Sequence, residues 1–483
     1  MTGAVRIAVE EWRYWLRSRL AVSAMLLMLA VVLAAVISTA SRIQTETEAR
    51  RAMQSAAEET FLAQPDRHPH RMVHYGHYVF RTPAPLAVVD PGVDPSTGTV
   101  MFLEGHRQNS ATFPAVYTAP QVAGFKGLTP AFTYQVLVPL VLIVVGFSVV
   151  SRERELQTDI QQAAQGLGPA AVWFGKSLAL LSLSALLLAP LAIGALARIP
   201  QGAAVAAVAA LVGGYFLYLA FWSFAIVGLS ARAKSSAIAL LISCIVWIAM
   251  AVLVPRLVSD LAAALAPVTG KIESDFALIE AMRDVGDGHN TADPAFDQLR
   301  AELFNEYGVD RAEDLPVNLR GIVAEVAEAD LTDVLNEFAD ARMAEETAQA
   351  KLARNGAWLS PMLALRNASM QTVGSDLGNY HRFMHEAEDA RFEFVQGLNR
   401  AHGSELSYID DINRNNDEAA GRRARISADN WRVLQTFDFQ PAPAAQRIRA
   451  AGFGLLVLLI WCAIAAAFAY RGTQVSEGRF HAA

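Results

Sequence analysis

The chain has 483 residues, of which 53% are hydrophobic and 18% are charged, and its formal net charge is −7. Soluble globular domains carry about 25% charged residues, so this composition argues against a wholly soluble protein. The shortage of charge is local, because long apolar runs alternate with ordinary polar sequence. The two cysteines, Cys244 and Cys462, both lie in apolar runs and are predicted to pack rather than to pair.

The apolar runs are long enough to cross a bilayer, which requires about 20 residues in a helix. There are six of them, at residues 20–37, 132–150, 177–197, 203–229, 237–254 and 450–470. None has a charged residue in its middle, which favours insertion into lipid. The first run also resembles a signal peptide ending at Ser38-Thr39-Ala40, but its length and the acidic, tryptophan-containing stretch before it favour an uncleaved helix.

Basic residues close to the ends of the runs predict the orientation, because they favour the cytoplasmic side. They fall on one side of a six-helix trace: Arg6, Arg13, Arg17, Arg19, Arg152, Arg154, Lys176, Arg232, Lys234 and Arg471. The predicted organisation is a cytoplasmic interfacial helix (1–19), TM1 (20–40), a first long segment (41–131), TM2 (132–150), a cytoplasmic coupling segment (151–176), TM3–TM5 (177–254), a second long segment (255–446), TM6 (447–471) and a cytoplasmic tail (472–483). Both long segments are then predicted to be extracytoplasmic and both termini cytoplasmic; the membrane expected for the family that the chain resembles, described below, is the bacterial inner membrane.

Residues 3–17 have the pattern of an amphipathic helix that lies in the membrane plane. One face carries Val5, Ala8, Trp12, Trp15 and Leu16, and another carries Arg6, Glu10, Arg13 and Arg17. Tryptophans opposite arginines are typical of interfacial helices. The alternative is an ordinary cytoplasmic helix. The position directly before a membrane span favours the interfacial interpretation, with Trp12, Arg13, Trp15 and Arg17 as its candidate residues.

The second long segment is acidic, with 33 acidic and 18 basic residues and a net charge of −15. This balance argues against a nucleic-acid partner, since phosphate binding needs a basic surface. Apolar residues at helical spacing predict a helix over 319–353 and another from Pro361 to Ala401 that is interrupted near Gly374. In the first long segment we expect a helix over 44–64 and short strands at 79–80 and 100–103. The predicted fold class is therefore α: six transmembrane helices, an N-terminal interfacial helix and a large, mostly helical extracytoplasmic domain.

Motifs for nucleotide binding and hydrolysis are incomplete. Gly175-Lys176-Ser177 resembles the end of a phosphate-binding loop, but Ala170 stands where that loop needs a glycine. We interpret Lys176 as a charged anchor at a helix start, so any ATP must be bound by another subunit. His381 and His385 have the spacing of a zinc-protease helix, but Arg382 replaces the required glutamate.

A histidine patch in the first long segment is the candidate for metal binding. It consists of His68, His70, His74 and His77. Histidine-rich tracts can bind metals, but the intervening prolines argue against a preformed site, and the prediction is that no metal is bound.

The segment 151–176 begins with SRERELQT, and after a turn it leads into WFGKSLA at residues 173–179. A charged helix between two spans can transmit a movement from a soluble partner to the membrane helices. The alternative is a solvated loop. Together with the helix order, these motifs resemble the permeases of type 2 ABC exporters. HYGHYVF, VVDPGVDPSTG, LEGHRQN and SPMLALRNASMQTVGSDLGNYHRFMHEAEDARFEFVQGLN resemble the branch of that family with a large extracytoplasmic domain of unknown function.

The resemblance implies a non-catalytic transport subunit that moves an unidentified substrate. It implies an ABC ATP-binding subunit as partner, which carries ATP and Mg, a second permease that is identical or paralogous, and surrounding membrane lipids. No cofactor is expected in this chain. The candidate coupling residues are Arg152, Glu153, Arg154, Glu155, Gln157 and Lys176, of which Glu153 and Glu155 match the family's coupling helix. Two alternatives remain: a membrane-anchored metal-binding protein or enzyme that uses the histidine patch, and a non-transporting membrane scaffold.

Overall fold

A computed structural model describes residues 3–112, 128–283, 285–286 and 288–478 of the chain. These residues form an almost entirely α-helical protein with a single two-stranded antiparallel sheet. Six of the described helices are long and apolar enough to cross a membrane. They are Arg19–Leu62, Pro130–Glu155, Pro169–Gln201, Val205–Arg232, Ser236–Leu265 and Ala444–Gln474. The predicted fold class, a polytopic α-helical membrane protein with a large helical domain, is confirmed.

The elements follow one another in this order. The first half contains α1 (Gly3–Arg17), α2 (Arg19–Leu62), α3 (Pro69–Tyr75), β1 (His77–Phe80), β2 (Val100–Leu103), α4 (Pro130–Phe132), α5 (Val138–Gly146), α6 (Ser151–Glu155), α7 (Thr158–Ala164), α8 (Pro169–Leu196), α9 (Val205–Arg232) and α10 (Ser236–Ile248). The second half contains α11 (Val254–Leu265), α12 (Lys271–Met282), α13 (Asp297–Tyr307), α14 (Leu319–Asn355), α15 (Pro361–Val373), α16 (Leu377–Glu405), α17 (Tyr408–Asn413), α18 (Glu418–Arg423) and α19 (Ala444–Gly478). π-helical turns at Thr133–Leu137 and Ala249–Leu253 interrupt the second and fifth spans.

Helix α2 joins two elements that the sequence analysis placed in succession, the first span and the helix over 44–64. It begins at the N-cap Ser18, whose hydroxyl accepts a hydrogen bond from the Ala21 N–H. Its 44 residues contain neither glycine nor proline, so nothing in the sequence breaks it. At 1.5 Å per residue the helix is about 66 Å long, roughly twice the hydrocarbon thickness of a bilayer. One end therefore extends well beyond the membrane and carries part of the first long segment with it.

Helix α15 connects the second long segment to the membrane-spanning helices. Its apolar residues pack against α9 and α19, and Ala364 and Leu365 are buried in the same core as those spans. Gly454 of α19 permits this approach, because a Cβ atom there would lie 2.7 Å from the Ala364 carbonyl oxygen. The helix ends at Gly374, whose φ of +84° is the left-handed conformation that favours glycine after a helix. The predicted interruption near Gly374 is confirmed, as are the predicted helix over 319–353 and the two short strands.

The two long segments build one composite domain rather than two separate ones. A single hydrophobic core combines Phe61, Met72 and Leu103 of the first segment with Phe394 and Trp431 of the second. The chain also pairs directly across the segments, since the Trp431 indole N–H donates to the Gln64 carbonyl at 2.9 Å. The composite domain therefore requires both long segments, which are separated in the sequence by four membrane spans.

Candidate functional site

The 151–176 segment forms two short helices, α6 and α7, joined by a tight turn. Gln157 adopts φ +57° at that turn, which is uncommon for a residue other than glycine. Helix α7 ends before Gly166, which has a φ of +78°. The segment is therefore helical up to the glycines, as predicted.

A buried cluster of charges ties this segment to α1 and α8. The Lys176 Nζ donates to Glu11 Oε1 at 2.6 Å and also to Glu153. The Arg152 guanidinium donates to the same Glu11 oxygen at 2.9 Å. The Lys176 and Glu11 side chains are only 1% and 3% exposed. Water therefore solvates them poorly, and each charge is stabilised by its ionic partners. We call Glu11, Arg152, Glu153 and Lys176 the ion cluster.

Gly175 and Lys176 both contribute to the contact between α8 and α1. A Cβ atom on Gly175 would lie 2.6 Å from the Ala4 carbonyl oxygen and 2.7 Å from the Ile7 Cβ of α1. The glycine thus lets α1 lie directly against α8, and the lysine beside it reaches the α1 carboxylate. From its sequence context, Lys176 is predicted to be a charged anchor at a helix start. The structure places its ammonium inside the ion cluster, with contacts to α1 and α6.

Arg154 and Glu155 hold the turn between α9 and α10. The Arg154 guanidinium donates to the carbonyl oxygens of Ala231, at 2.5 Å, and Ser230, at 2.9 Å, near the end of α9. The Glu155 carboxylate accepts hydrogen bonds from the Ser236 N–H at 2.8 Å and the Ser236 hydroxyl at 2.6 Å. A movement of α6 would therefore displace the start of α10, which begins the fifth span.

The exposed surface of the 151–176 segment includes side chains that lie outside the ion cluster. Leu156 and Ile160 are 65% and 50% exposed, and Gln157 is also exposed. Among the candidate coupling residues, Glu153 and Lys176 face inward, and Gln157 faces outward. Two exposed aliphatic side chains on a polar segment are a feature that the sequence analysis did not single out.

Helix α1 packs on protein to a greater extent than an interfacial helix requires. Trp15 is fully buried, and the Trp12 indole N–H donates to the Ser182 hydroxyl of α8 at 2.8 Å. Arg13 pairs with Glu10 on the exposed face, and Arg17 is also exposed. The amphipathic pattern is real, and its buried face contacts α8.

The histidine patch divides into three environments. His68 caps α3, and its Nε2 lies 3.0 Å from an Asp411 carboxylate oxygen. The other oxygen of Asp411 lies 2.8 Å from His402 Nε2 and accepts from the Asn318 amide at 3.2 Å, and Arg414 also pairs with Asp411. Both carboxylate oxygens are therefore fully used, which indicates a structural node. His77 is buried beside Gln54 and Phe61.

His70 and His74 meet two histidines that the sequence analysis did not select, His106 and His289. Their ligand nitrogens all lie within 4.8 Å of one another. Burial, together with the neighbouring His74, His289 and His106, lowers the pKa of His70 from 6.5 to about 2. We call these four residues the histidine cluster.

A family model described as a domain of unknown function (DUF3526) matches residues 276–440. The chain is similar to that family over most of the second long segment. No curated protein and no solved structure matches the chain. The DUF3526 region supplies His289 to the histidine cluster and Asp411 to the structural node, whereas His70, His74 and His106 lie outside it. The cluster therefore forms only where the DUF3526 region packs against the first long segment.

His77 provides a test of how the composite domain responds to acid. Burial lowers the pKa of His77 from 6.5 to about 4. Between these values the unfolded chain binds a proton that the folded chain does not, so stability falls as the pH falls through this window. We expect the unfolding temperature of His77→Phe in detergent to decline less steeply than that of the wild type between pH 6.5 and pH 4.

The matched control for this comparison is His385→Phe, because the His385 side chain is 53% exposed. Its acid profile should follow that of the wild type. Parallel profiles for His77→Phe and the wild type would show that His77 does not contribute.

Proposed function

We propose that the chain is the membrane-spanning permease subunit of an ATP-driven exporter of the type 2 ABC class. In this proposal a separate subunit binds and hydrolyses ATP with Mg²⁺, and two permease chains, identical or paralogous, form the path for the substrate. The chain lies in a bacterial inner membrane with both termini in the cytoplasm and the composite domain outside. The basic residues near the helix ends support this orientation.

The observation that carries the proposal is the mechanical connection of the 151–176 segment. The ion cluster joins this segment to α1 and α8, while Arg154 and Glu155 join it to the turn between α9 and α10. A force applied to α6 and α7 is thereby shared among the second, third, fourth and fifth spans. Such a connection is what a subunit needs if a soluble ATPase is to move its membrane helices.

The exposed face of the segment supports a docking role. Leu156 and Ile160 present apolar surface next to Gln157, as expected for the centre of a protein contact with a polar rim. We therefore assign the direct contact with the ATPase to Leu156 and Ile160. Glu153 and Lys176 position the segment through their buried ion pairs.

The test replaces the two exposed aliphatic side chains. We expect Leu156→Glu/Ile160→Glu to lose the stimulation of ATP hydrolysis by the ATPase in reconstituted vesicles, because docking would bury two carboxylates without partners. We also expect the affinity for the ATPase to fall about tenfold or more, which corresponds to a loss of at least about 1.4 kcal/mol of binding free energy.

The conservative variant Leu156→Met/Ile160→Met is the control, and it should retain coupling because apolar contact is preserved. If the glutamate variant binds the ATPase and stimulates hydrolysis as the wild type does, the proposed docking surface is wrong.

A further inference from the structure

The histidine cluster brings imidazoles from three separate parts of the chain to one point. His70 and His74 lie one helical turn apart on α3, His106 lies in the turn after β2, and His289 lies between α12 and α13. The Nε2 atoms of His70 and His74 are 3.1 Å apart. The ring of His289 lies 4.9 Å from that of His70 and 4.8 Å from that of His106, measured between centroids.

His106 is oriented toward the cluster by a buried carboxylate. Its Nδ1 lies 2.9 Å from a Glu328 oxygen, and its backbone N–H donates to the same oxygen at 3.1 Å. Its Nε2 is buried and has no hydrogen-bond partner among the described residues. An imidazole whose one nitrogen is held by a carboxylate and whose other nitrogen is directed to a group of ligands is the usual second-sphere arrangement of a metal-binding histidine.

Glu328 is in turn fixed by Arg391. The guanidinium pairs with Glu328 and with Glu388, and it donates to the Thr332 hydroxyl at 2.8 Å. The Glu328 and Arg391 side chains are both fully buried. The orientation of His106 is thus built into the core of the DUF3526 region, whereas His74 and His289 remain exposed and leave the cluster accessible from solvent.

The geometry points to a binding site for one divalent transition-metal ion, with Zn²⁺ as the best match, held by His70, His74, His106 and His289. Zn²⁺ prefers four ligands in a tetrahedron with Zn–N distances of about 2.0–2.1 Å, which places the nitrogens about 3.3 Å apart. The His70–His74 separation already lies close to this value, and a contraction of about 1–1.5 Å is sufficient for the widest pair. An all-nitrogen site selects borderline metals over Mg²⁺ and Ca²⁺, which prefer oxygen ligands.

The neighbouring group of His68, His402 and Asp411 provides an internal contrast. Its three side chains are also close together, but they are all buried, and both Asp411 oxygens are occupied by hydrogen bonds within the protein. That group is complete without an ion, whereas the histidine cluster contains a buried nitrogen with no partner among the described residues.

The test is a titration with Zn²⁺, measured by calorimetry, of the whole chain in detergent after bound metal has been removed with a chelator. We expect one Zn²⁺ per chain and no measurable binding of Mg²⁺. His74→Gln and His289→Gln, which alter exposed ligands, should each weaken Zn²⁺ binding by about 100-fold or more, since even second-sphere changes typically weaken it 10–100-fold. His385→Gln, an exposed histidine outside the cluster, should bind as the wild type does.

Co²⁺ provides an independent readout of the ligand geometry. The wild-type chain should give the intense visible absorption of a tetrahedral Co²⁺ site, and His74→Gln/His289→Gln should lose it while keeping the wild-type circular dichroism. Absence of Zn²⁺ binding to the wild type would overturn the assignment. So would equal affinity in the wild type and the double variant.

Discussion

Lys176→Met should destabilise the folded chain by about 3–5 kcal/mol, the usual cost of removing one partner from a buried ion pair. The Lys176 side chain is 1% exposed, and its ammonium bridges Glu11 of α1 and Glu153 of α6. Methionine has a similar length but no charge, so Glu153 loses this partner and Glu11 keeps only Arg152 within the cluster. The expected result is a clear fall in the unfolding temperature of the detergent-solubilised protein, measured by tryptophan fluorescence.

Two variants separate this effect from a general sensitivity to charge. Arg13→Ala removes an exposed pair with Glu10, in which both side chains are at least 60% exposed, and should change stability by less than about 1 kcal/mol. Lys176→Arg keeps the charge and should be milder than Lys176→Met. An unfolding temperature of Lys176→Met equal to that of Arg13→Ala would contradict the structural role of the ion cluster.

Arg391→Met should cost the composite domain a similar amount, about 3–5 kcal/mol. Arg391 is fully buried and neutralises both Glu328 and Glu388, with two hydrogen bonds of 2.9 Å from its Nε to the Glu388 oxygens. Without the guanidinium, two carboxylates remain buried close to each other, which is costly because ionised groups in a protein interior need partners. Limited proteolysis of the composite domain and thermal unfolding should both show the loss.

Arg382→Met is the matched control, because it lies on the same helix, α16, and pairs with Glu386 at the surface. Its effect should stay below about 1 kcal/mol. If both variants resist protease as the wild type does, Arg391 is not the centre of the core network that we describe.

Local sequence patterns predict the six spans and the longest helices of the composite domain. Apolar runs of bilayer length identified the six spans, because length and the absence of charge are properties of each segment alone. The helix that begins at Leu319 and the break at Gly374 were also predictable, since helical periodicity and glycine both act locally.

Contacts between distant segments were not predictable from these patterns. The histidine cluster joins His106 to His289, and the ion cluster joins Glu11 to Lys176, and no local periodicity relates such positions. The inward orientation of Glu153 was not predictable either, because a charged residue on a short polar helix is ordinarily expected to face solvent. It depends on the ion pair with Lys176. Gly175 is the local signal for the contact between α1 and α8, because a glycine permits another element to approach closely, but no local pattern relates it to α1.

The most direct test of the proposed function is purification of the tagged chain from native membranes in mild detergent, with identification of the proteins that accompany it. We predict that a nucleotide-binding ABC subunit co-purifies in equal amount with the permease chains and that the complex hydrolyses ATP. We also predict that Leu156→Glu/Ile160→Glu releases that subunit. A stable wild-type chain that purifies without any nucleotide-binding protein, from membranes that contain one, would contradict the account.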